Sequence, residues 1–339
     1  MIVKLLLAVT RYRELTVFLL MIVFALIVGL VNGSFITMNS LDVILNGAVV
    51  LLLMAIGESF VLLVGEIDVS VGSIIGISAA VAGMGLMQGE PLGLVIVLTL
   101  LTGLVAGLIN GFGVSFLKIP AIIMTLGTMG IIRGTMIMYT GGKWIEAIPK
   151  SFKRLSTETF LGLSIPVWIG LIGLIVTFLL LSKSKVGRYF YAVGDNADGA
   201  KLIGIPVKLM KLIAFSISGV AAAIAGLVFV MTIGFVPNDT GSGMELEVIA
   251  AAVLGGVSLS GGIGSVVGAG LGAIFFTMID SSLVYLKIPA FWNDAISGML
   301  LLVIVLIDYK LQSLSGRSIT LFKSKRNASS DATFEKKEA

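Results

Sequence analysis

The chain contains no cysteine and no histidine among its 339 residues. Without cysteine, no disulfide can support an extracytoplasmic domain, and no thiolate can act as a nucleophile or a metal ligand. Without histidine, the commonest general base is missing, so Ser-His and Cys-His dyads and histidine metal sites are excluded. We therefore expect neither an enzyme nor a metal site, and no cofactor bound by the chain itself.

Charged residues are also scarce, at 12% of the sequence compared with about 25% in soluble domains. Hydrophobic residues make up 57%, and the mean hydropathy is +1.10. Lipid offers no hydrogen-bond partners, and the apolar windows are too long for barrel strands, so the sequence predicts an all-α polytopic membrane protein. No G-x-x-x-x-G-K-[ST] phosphate loop is present, which excludes ATP binding by that route. The net charge of +4 does not indicate nucleic-acid binding, because the basic residues lie in loops that face an anionic membrane surface.

About ten apolar windows are long enough to span a bilayer. They lie at about 15–31, 45–64, 68–87, 92–113, 121–139, 165–181, 212–235, 246–257, 263–286 and 295–307. The window 246–257 is short and predicts a broken or re-entrant helix. We assign residues 1–310 to one transmembrane domain, and the Ser-, Lys- and Glu-rich tail 311–339 is predicted to be disordered.

A polar interruption, KSKVGRYFYAVGDNADGAKLIGIPVKLMK, occupies residues 183–211. It holds more basic than acidic residues, which places it, with both termini of a ten-span chain, in the cytoplasm. Asp195 and Asn196 are natural N-cap residues, Gly204 can take the left-handed C′ position, and Pro206 prevents continuation. The pattern predicts a short surface helix over 197–202.

Two features recur along the chain. The string LKIPA begins at Leu117 and again at Leu286. Each copy follows a span with glycines four residues apart, at Gly103, Gly107 and Gly111 and at Gly264, Gly268 and Gly272. These two spans would run in opposite directions, which favours an inverted five-plus-five repeat of the kind found in transporters. The alternatives are chance recurrence of abundant residues and, for the glycines, close helix packing.

Polar residues interrupt the apolar sequence at GEIDVSVGS (65–73) and GGVSLSGGIGS (255–265). Such breaks suit half-helix ends beside a cavity, but they also suit ordinary turns, with Asp68 capping the next helix. Polar residues within spans are functional candidates because burying them is costly. The candidate pathway residues are Asn46, Glu58, Asp68, Ser70, Asn110, Ser258, Ser260 and Asp280. A structural role remains the alternative for each of them, as it does for Asp294 and for Arg133, which could pair with an acid between helices.

The stretch GRYFYAVGDNADGAKLIGI (187–205) resembles the cytoplasmic coupling segment of sugar-type ABC importer permeases, the ribose and branched-chain amino-acid permease superfamily. IDVSVGSI (67–74), IPAIIMTLGTMGIIRG (119–134) and residues 241–273 resemble recurring blocks of the same superfamily. TGGKWIEAIP (140–149), IGFVPNDTGSG (233–243) and LKIPAFWND (286–294) are similar to its branch that imports autoinducer-2, a furanose-like quorum-sensing signal. The resemblance covers nearly the whole chain.

This resemblance implies a heterodimer of two related permeases in the bacterial inner membrane. Two ATPase subunits bind the ATP, and a periplasmic binding protein delivers a small sugar-like solute. The residues implied in ATPase coupling are Arg188, Gly194, Asp195, Asn196, Asp198, Gly199, Gly204 and Ile205. Asp198-Gly199 departs from the two alanines common in ribose-type members, and a helical glycine costs about 0.5 to 1 kcal/mol relative to alanine. Trp144 and Asn238 are candidates for binding-protein contact, with unengaged surface loops as the alternative.

Three other functions remain as alternatives. A ribose-type sugar permease would share the same architecture. An ion-coupled secondary carrier is disfavoured, because the spans carry no regular chain of acids or histidines for protons. An intramembrane enzyme is disfavoured because no histidine or cysteine exists to activate a serine.

Overall fold

The structure is a computed structural model that describes residues 13–289 and positions 292, 295, 296, 298, 299, 302 and 306. The predicted tail 311–339, Asp294 and most of the predicted tenth span at 295–307 lie outside the described residues. The helices of the described part are α1 Arg13–Val31, α2 Met38–Leu63, α3 Val71–Met87, α4 Leu92–Ser115, α5 Ala121–Thr140, α6 Lys150–Arg154, α7 Ile165–Lys183, α8 Lys185–Asp195, α9 Ala197–Leu202, α10 Val207–Ile233, α11 Met244–Leu254 and α12 Val266–Tyr285. A 3-10 turn spans Gly33–Ile36, and the strands β1 Thr159–Phe160 and β2 Leu163–Ser164 form an antiparallel hairpin.

Among the described residues, seven helices are long and apolar enough to cross a membrane: α1, α2, α4, α5, α7, α10 and α12. The apolar helix α3 is shorter, with 17 residues. The all-α polytopic prediction is confirmed. The predicted short window is confirmed as well, because α11 has 11 residues and ends at Leu254, where the second polar break begins.

Some boundaries differ from the sequence prediction. Helix α2 begins at Met38, before the apolar window, because the Thr37 side chain caps it by accepting a hydrogen bond from the Ser40 N–H. Helix α10 starts directly after Pro206 rather than at 212, since the two lysines of its first turns lie outside the apolar run. Helix α8 was not predicted at all. Its charged residues indicated a loop, but the segment forms an amphipathic helix that buries Phe190 and Val193.

Close packing of backbones organises the bundle. A Cβ added at Gly103 of α4 would lie 2.1 Å from the Gly219 carbonyl oxygen of α10, so the two helices touch through their main chains. Helix α12 approaches α11 in the same way, because a Cβ at Gly268 would lie 2.1 Å from the Gly255 oxygen. Glycine at these positions permits an approach that any side chain would prevent. Close packing, the alternative given for the glycines, is confirmed for the first ladder and for Gly268 and Gly272 of the second. Gly264 is not part of the helix, since it precedes α12 with φ of 144°.

Helix α10 has 27 residues and therefore separates two ends of the molecule by about 40 Å. We call the end that carries α8 and α9 the coupling end, and the other, where Ile145 pairs with Val236, the far end. The two LKIP strings lie at opposite ends. Lys118 follows α4 at the coupling end, whereas Lys287 follows α12 near Asn32, whose Nδ2 donates to the Tyr285 oxygen at 2.9 Å. Both lysines have a left-handed backbone, with φ of 59° and 56°; the inverted repeat stays a prediction.

Candidate functional site

Helices α8 and α9 form a hairpin at the coupling end. Asn196 separates them with an extended backbone (φ −158°, ψ 98°) and caps α9, since its Oδ1 accepts from the Gly199 N–H at 2.9 Å. Gly204 follows with φ 84° and ends the helix as predicted. A Cβ at Gly199 would lie 3.2 Å from the Asn196 Cγ. Glycine therefore leaves room for the cap, and Asp195 is the last residue of α8 rather than the cap.

The tip of this hairpin is apolar and exposed. Leu202 is 89% exposed and Ile203 is 76% exposed. Ala200 and Ile205 are buried and anchor the hairpin to the bundle. Of the predicted coupling residues, five are exposed around this tip: Arg188, Asp195, Asn196, Asp198 and Gly204. These two large apolar side chains form an exposed patch at a polar end of the molecule.

The base of the hairpin is a contact that we call the glycine junction, formed by Gly194, Leu63 and Gly262. A Cβ at Gly194 would lie 1.8 Å from the Leu63 carbonyl oxygen and 2.4 Å from the Gly262 nitrogen. The Gly262 N–H donates to the same Leu63 oxygen at 3.0 Å. The end of α8 thus lies directly on the end of α2 and on the second polar break, with no side chain between them.

Two side chains of α8 strengthen this contact. The Phe190 ring meets Phe60 of α2 edge-on, with ring centroids 5.2 Å apart. The Tyr191 hydroxyl donates to the Gly264 carbonyl oxygen at 3.0 Å. Burial raises the pKa of the Tyr191 phenol, and the Glu14 carboxylate raises it further, so the phenol stays protonated as a donor. Helix α8 is therefore joined to the end of α2 and to the second polar break. The second break in turn lies against the first, because a Cβ added at Gly261 would lie 2.9 Å from the Gly65 Cα.

The first polar break is held by buried hydrogen bonds. The Asp68 N–H donates to Glu58 Oε1 at 3.0 Å. Asp68 Oδ1 in turn accepts from the Ser70 N–H at 2.9 Å and from the Ser70 hydroxyl at 2.6 Å. Asp68 therefore forms a local turn before α3 and does not cap that helix, because Ser70 is its N-cap residue. Asp68 also joins a larger network.

That network extends into three further helices. Asn110 Nδ2 of α4 donates to Ser70 Oγ at 2.7 Å, and its Oδ1 accepts from the Thr128 hydroxyl of α5 at 2.7 Å. The Ser218 hydroxyl of α10 donates to Asp68 Oδ2 at 3.4 Å. Four of the eight candidate pathway residues are thus brought together in what we call the polar network: Glu58, Asp68, Ser70 and Asn110. Sequence reasoning missed Thr128 and Ser218, as well as Thr125, whose hydroxyl accepts from the Val69 N–H at 3.2 Å.

The polar network is isolated from solvent. Glu58, Asp68, Ser70 and Asn110 are each 0% exposed. Within residues 13–289 neither carboxyl forms an ion pair, and Glu58 Oε2 has no hydrogen-bond partner. Satisfied buried polar groups rigidify a core, whereas each unpaired one is costly. This arrangement can fix the position of the first break relative to α4, α5 and α10; its role along a solute path stays a prediction.

The other candidate pathway residues lie elsewhere. Asn46 Oδ1 accepts from the Ser164 hydroxyl and ties α2 to the start of α7. Ser258 and Ser260 belong to the second break, where the Ser260 N–H donates to Ser258 Oγ at 3.2 Å. Asp280 is half-buried on α12. Arg133 forms no ion pair with the described residues, and in the same part of the chain no three acidic side chains are placed to hold a metal ion.

At the far end, the two residues predicted to contact a binding protein lie together. Trp144 Nε1 donates to Asn238 Oδ1 at 3.3 Å, and Asn238 Nδ2 donates to the Gly142 carbonyl oxygen at 3.0 Å. The indole also stacks on Phe235, with centroids 5.8 Å apart. More than half of Trp144 is exposed. The two loops therefore form one aromatic surface patch.

Comparison with known proteins gives a consistent assignment. The family model for the branched-chain amino acid transport system, permease component, matches residues 40–305. The chain is 46% identical to the Autoinducer 2 import system permease protein LsrC of Escherichia coli K12/DH10B over 307 residues, covering 91% of this chain and 90% of that protein. It is 45% identical to the protein of the same name from Salmonella typhi, covering 91% and 88%. No solved structure matches the chain.

Proposed function

The chain belongs to the permease component family of branched-chain amino acid transport systems, and we propose that it is the permease subunit of an ATP-driven importer of autoinducer-2. Its relatives named for autoinducer-2 import match about nine-tenths of its length. It is a multi-pass membrane protein with at least seven helices of spanning character among its described residues. The substrate assignment rests on these relatives and on the similar stretches at 140–149, 233–243 and 286–294.

The observation that carries the importer proposal is the exposed apolar tip of the α8–α9 hairpin. The sequence has no phosphate loop, so a transport cycle driven by ATP needs a separate ATPase. Leu202 and Ile203 offer that ATPase an apolar surface at a cytoplasmic end rich in lysine. Their exposure supports docking of an ATPase subunit on this tip.

The glycine junction supplies the next step. A displacement of α9 moves α8, and α8 contacts Leu63 and Gly262 through main-chain atoms. Backbone contacts cannot absorb such a movement by changing rotamers, because interiors packed this closely transmit strain. The movement therefore reaches both polar breaks, and the polar network passes it from the first break to α4, α5 and α10. We infer that this route changes the access of the solute path.

The remaining partners follow from two surfaces. Helix α5 exposes Gly127, Gly130 and Gly134, and a Cβ at any of them would meet no described heavy atom within 4 Å. Small residues on an open transmembrane face permit close approach of another helix, which supports contact with a second permease subunit there. The Trp144–Asn238 patch at the far end supports contact with a periplasmic binding protein, because it lies opposite the hairpin.

The experiment purifies the chain in mild detergent together with its co-expressed ATPase, second permease and binding protein, and reconstitutes the complex in vesicles. We expect ATP-dependent uptake of labelled autoinducer-2 that exceeds uptake of labelled ribose. Preference for ribose would favour the ribose-type alternative. Uptake by the chain alone, in ion-loaded vesicles without ATP, would contradict the importer proposal and favour a secondary carrier.

A further inference from the structure

A cavity of about 710 Å³ lies beside α9 at the coupling end. Its walls come from three places: the connection between α4 and α5, the inner face of α9, and the first turns of α10. We call it the lysine basin, after the basic residues that line it, Lys118, Lys201, Lys208 and Lys211. Its acidic lining residues are Glu66 and Asp198.

The basin has an excess of positive charge. Lys211 forms an ion pair with Glu66, which neutralises both groups. The other three lysines form no ion pair within the described residues, and they face a single carboxylate, that of Asp198. Basic pockets between transmembrane helices on the cytoplasmic side attract anionic head groups. The basin is therefore suited to a ligand that carries a phosphate.

A second cavity, of about 370 Å³, lies on the outer surface of α4 and α5. Its side-chain lining is entirely apolar: Val105, Leu108, Ile109, Phe112, Leu117 and Met124. We call it the apolar groove. Ile109, Phe112 and Leu117 are among the exposed large hydrophobic residues, so the groove is open to the lipid that surrounds a membrane-spanning helix.

Two aromatic rings connect the basin and the groove. Phe112 of the groove and Phe116 of the basin stack, with centroids 5.3 Å apart and planes 20° apart. The Lys208 ammonium lies 5.5 Å from the Phe116 centroid, within the range of a cation–π contact. A cationic basin thus continues into an apolar trough at the end of a membrane span.

We propose that the basin and the groove together bind an anionic phospholipid. Its phosphate lies among Lys118, Lys201 and Lys208, and one acyl chain lies in the groove along α4 and α5. The basin uses the face of α9 that carries Ala197, Asp198 and Lys201, whereas the exposed tip is formed by Leu202 and Ile203. The lipid therefore leaves the tip accessible and braces α9 against the α4–α5 connection, so the lipid content of the membrane regulates movement of the hairpin.

The test measures lipid binding to the full chain in detergent by native mass spectrometry, with phosphatidylglycerol, phosphatidylcholine, glycerol phosphate and inorganic phosphate as probes. We expect phosphatidylglycerol to bind more tightly than the other three. Lys118→Gln with Lys208→Gln should weaken its binding about thirtyfold, since each lysine near an anionic surface contributes about fivefold. Lys118→Arg with Lys208→Arg should retain binding. Lys183→Gln with Lys185→Gln removes equal charge outside the basin and should change binding less than twofold.

The groove is tested separately with Ile109→Ser and Leu117→Ser, both at exposed positions. These variants should weaken phosphatidylglycerol binding and leave glycerol phosphate binding unchanged. Equal affinity for phosphatidylglycerol and phosphatidylcholine would overturn the proposal. Free phosphate that binds as tightly as the lipid, with no effect of the groove variants, would overturn it in favour of a soluble ligand. Loss of the co-purified ATPase from the lysine variants, with lipid binding intact, would overturn it in favour of a docking surface. Unchanged thermal unfolding of each variant excludes misfolding as the cause.

Discussion

Helices α4 and α5 are neighbours in sequence and each carries three glycines on one face, yet the two faces have opposite surroundings. On α4, a Cβ added at the first, second or third glycine would lie 2.1, 2.3 or 3.0 Å from the nearest atom of α10, at Gly103, Gly107 and Gly111. On α5, a Cβ would meet no described heavy atom within 4 Å at Gly127, Gly130 and Gly134. The spacing of glycines therefore shows that one face of a helix carries small residues, but it does not show what that face contacts.

The comparison separates helix faces that another helix of the chain covers from faces that no described residue covers. The glycine face of α4 is covered, since α10 packs against it. Helix α5 contacts α4 on its inner side, where Thr128 joins the polar network. Its glycine face, like the tip of the α8–α9 hairpin, is exposed in the single chain. In the proposed importer, these open surfaces are where the other subunits would bind.

The largest effect on stability is expected for Gly107→Ala. The new Cβ would lie 2.3 Å from the Phe215 carbonyl oxygen, and α4 and α10 would have to separate. Overpacking of this kind costs about 1 to 3 kcal/mol or more. Thermal unfolding in detergent should show a lower midpoint and a lower yield of folded protein. An unfolding midpoint equal to that of the unmodified chain would mean that the close approach of α4 and α10 does not limit stability.

Asn110→Ala should have the next largest effect. It removes the donor to Ser70 and the acceptor for Thr128, and it leaves both hydroxyls buried without these partners. Each hydroxyl keeps another partner, Asp68 Oδ1 for Ser70 and the Met124 carbonyl oxygen for Thr128, so the cost is that of the two lost hydrogen bonds, about 0.5 to 1.5 kcal/mol each. Thr102→Ala is the control, because its exposed hydroxyl bonds only to its own helix, at Leu98. Equal unfolding midpoints for the two variants would contradict a stabilising role for the polar network.

Features encoded over a few residues were predictable from the sequence. The spans follow from apolar windows, and the α9 cap follows from Asn196, whose side chain reaches only three residues ahead. Helix α8 was missed because its amphipathic pattern lies within a charged stretch, where hydropathy alone indicates a loop. Which residues of α8 are buried depends on the helices that it packs against, and these are distant in the sequence.

The polar network was predictable only in part, because its bonds join distant positions. Asp68 and Ser218 are separated by 150 residues, and Ser70 and Asn110 by 40. Burial cost identified the carboxyl and amide members, but hydroxyls such as Thr128 and Ser218 also occur in helices bonded to their own backbone. The repeat stays a prediction. The LKIPA strings lie 169 residues apart (286 − 117), whereas the glycine ladders lie 161 apart (264 − 103), so the two features do not share one spacing.

Gly130→Ala is the open counterpart of Gly107→Ala and should change stability less, and in the opposite direction. Replacement of a helical glycine by alanine removes an entropic cost of about 0.5 to 1 kcal/mol, and no described atom obstructs the new Cβ. The unfolding midpoint of the single chain should therefore rise. Recovery of the second permease subunit should fall if α5 packs closely against it. A lower unfolding midpoint in the single chain would mean that the glycine face of α5 is not open, in contradiction to the difference between α4 and α5.

Leu202→Ser with Ile203→Ser should have the smallest effect on stability, within about 0.5 kcal/mol, because both side chains are exposed. The same variant should lose most ATP-dependent uptake and most of the co-purified ATPase, since it removes the apolar tip that the ATPase would cover. Leu161→Ser, another exposed apolar residue but in the hairpin between β1 and β2, is the matched control and should retain both. Full uptake by the double variant would mean that the ATPase acts on another part of the chain. Loss of uptake with the ATPase still bound would place the defect after docking, at the glycine junction.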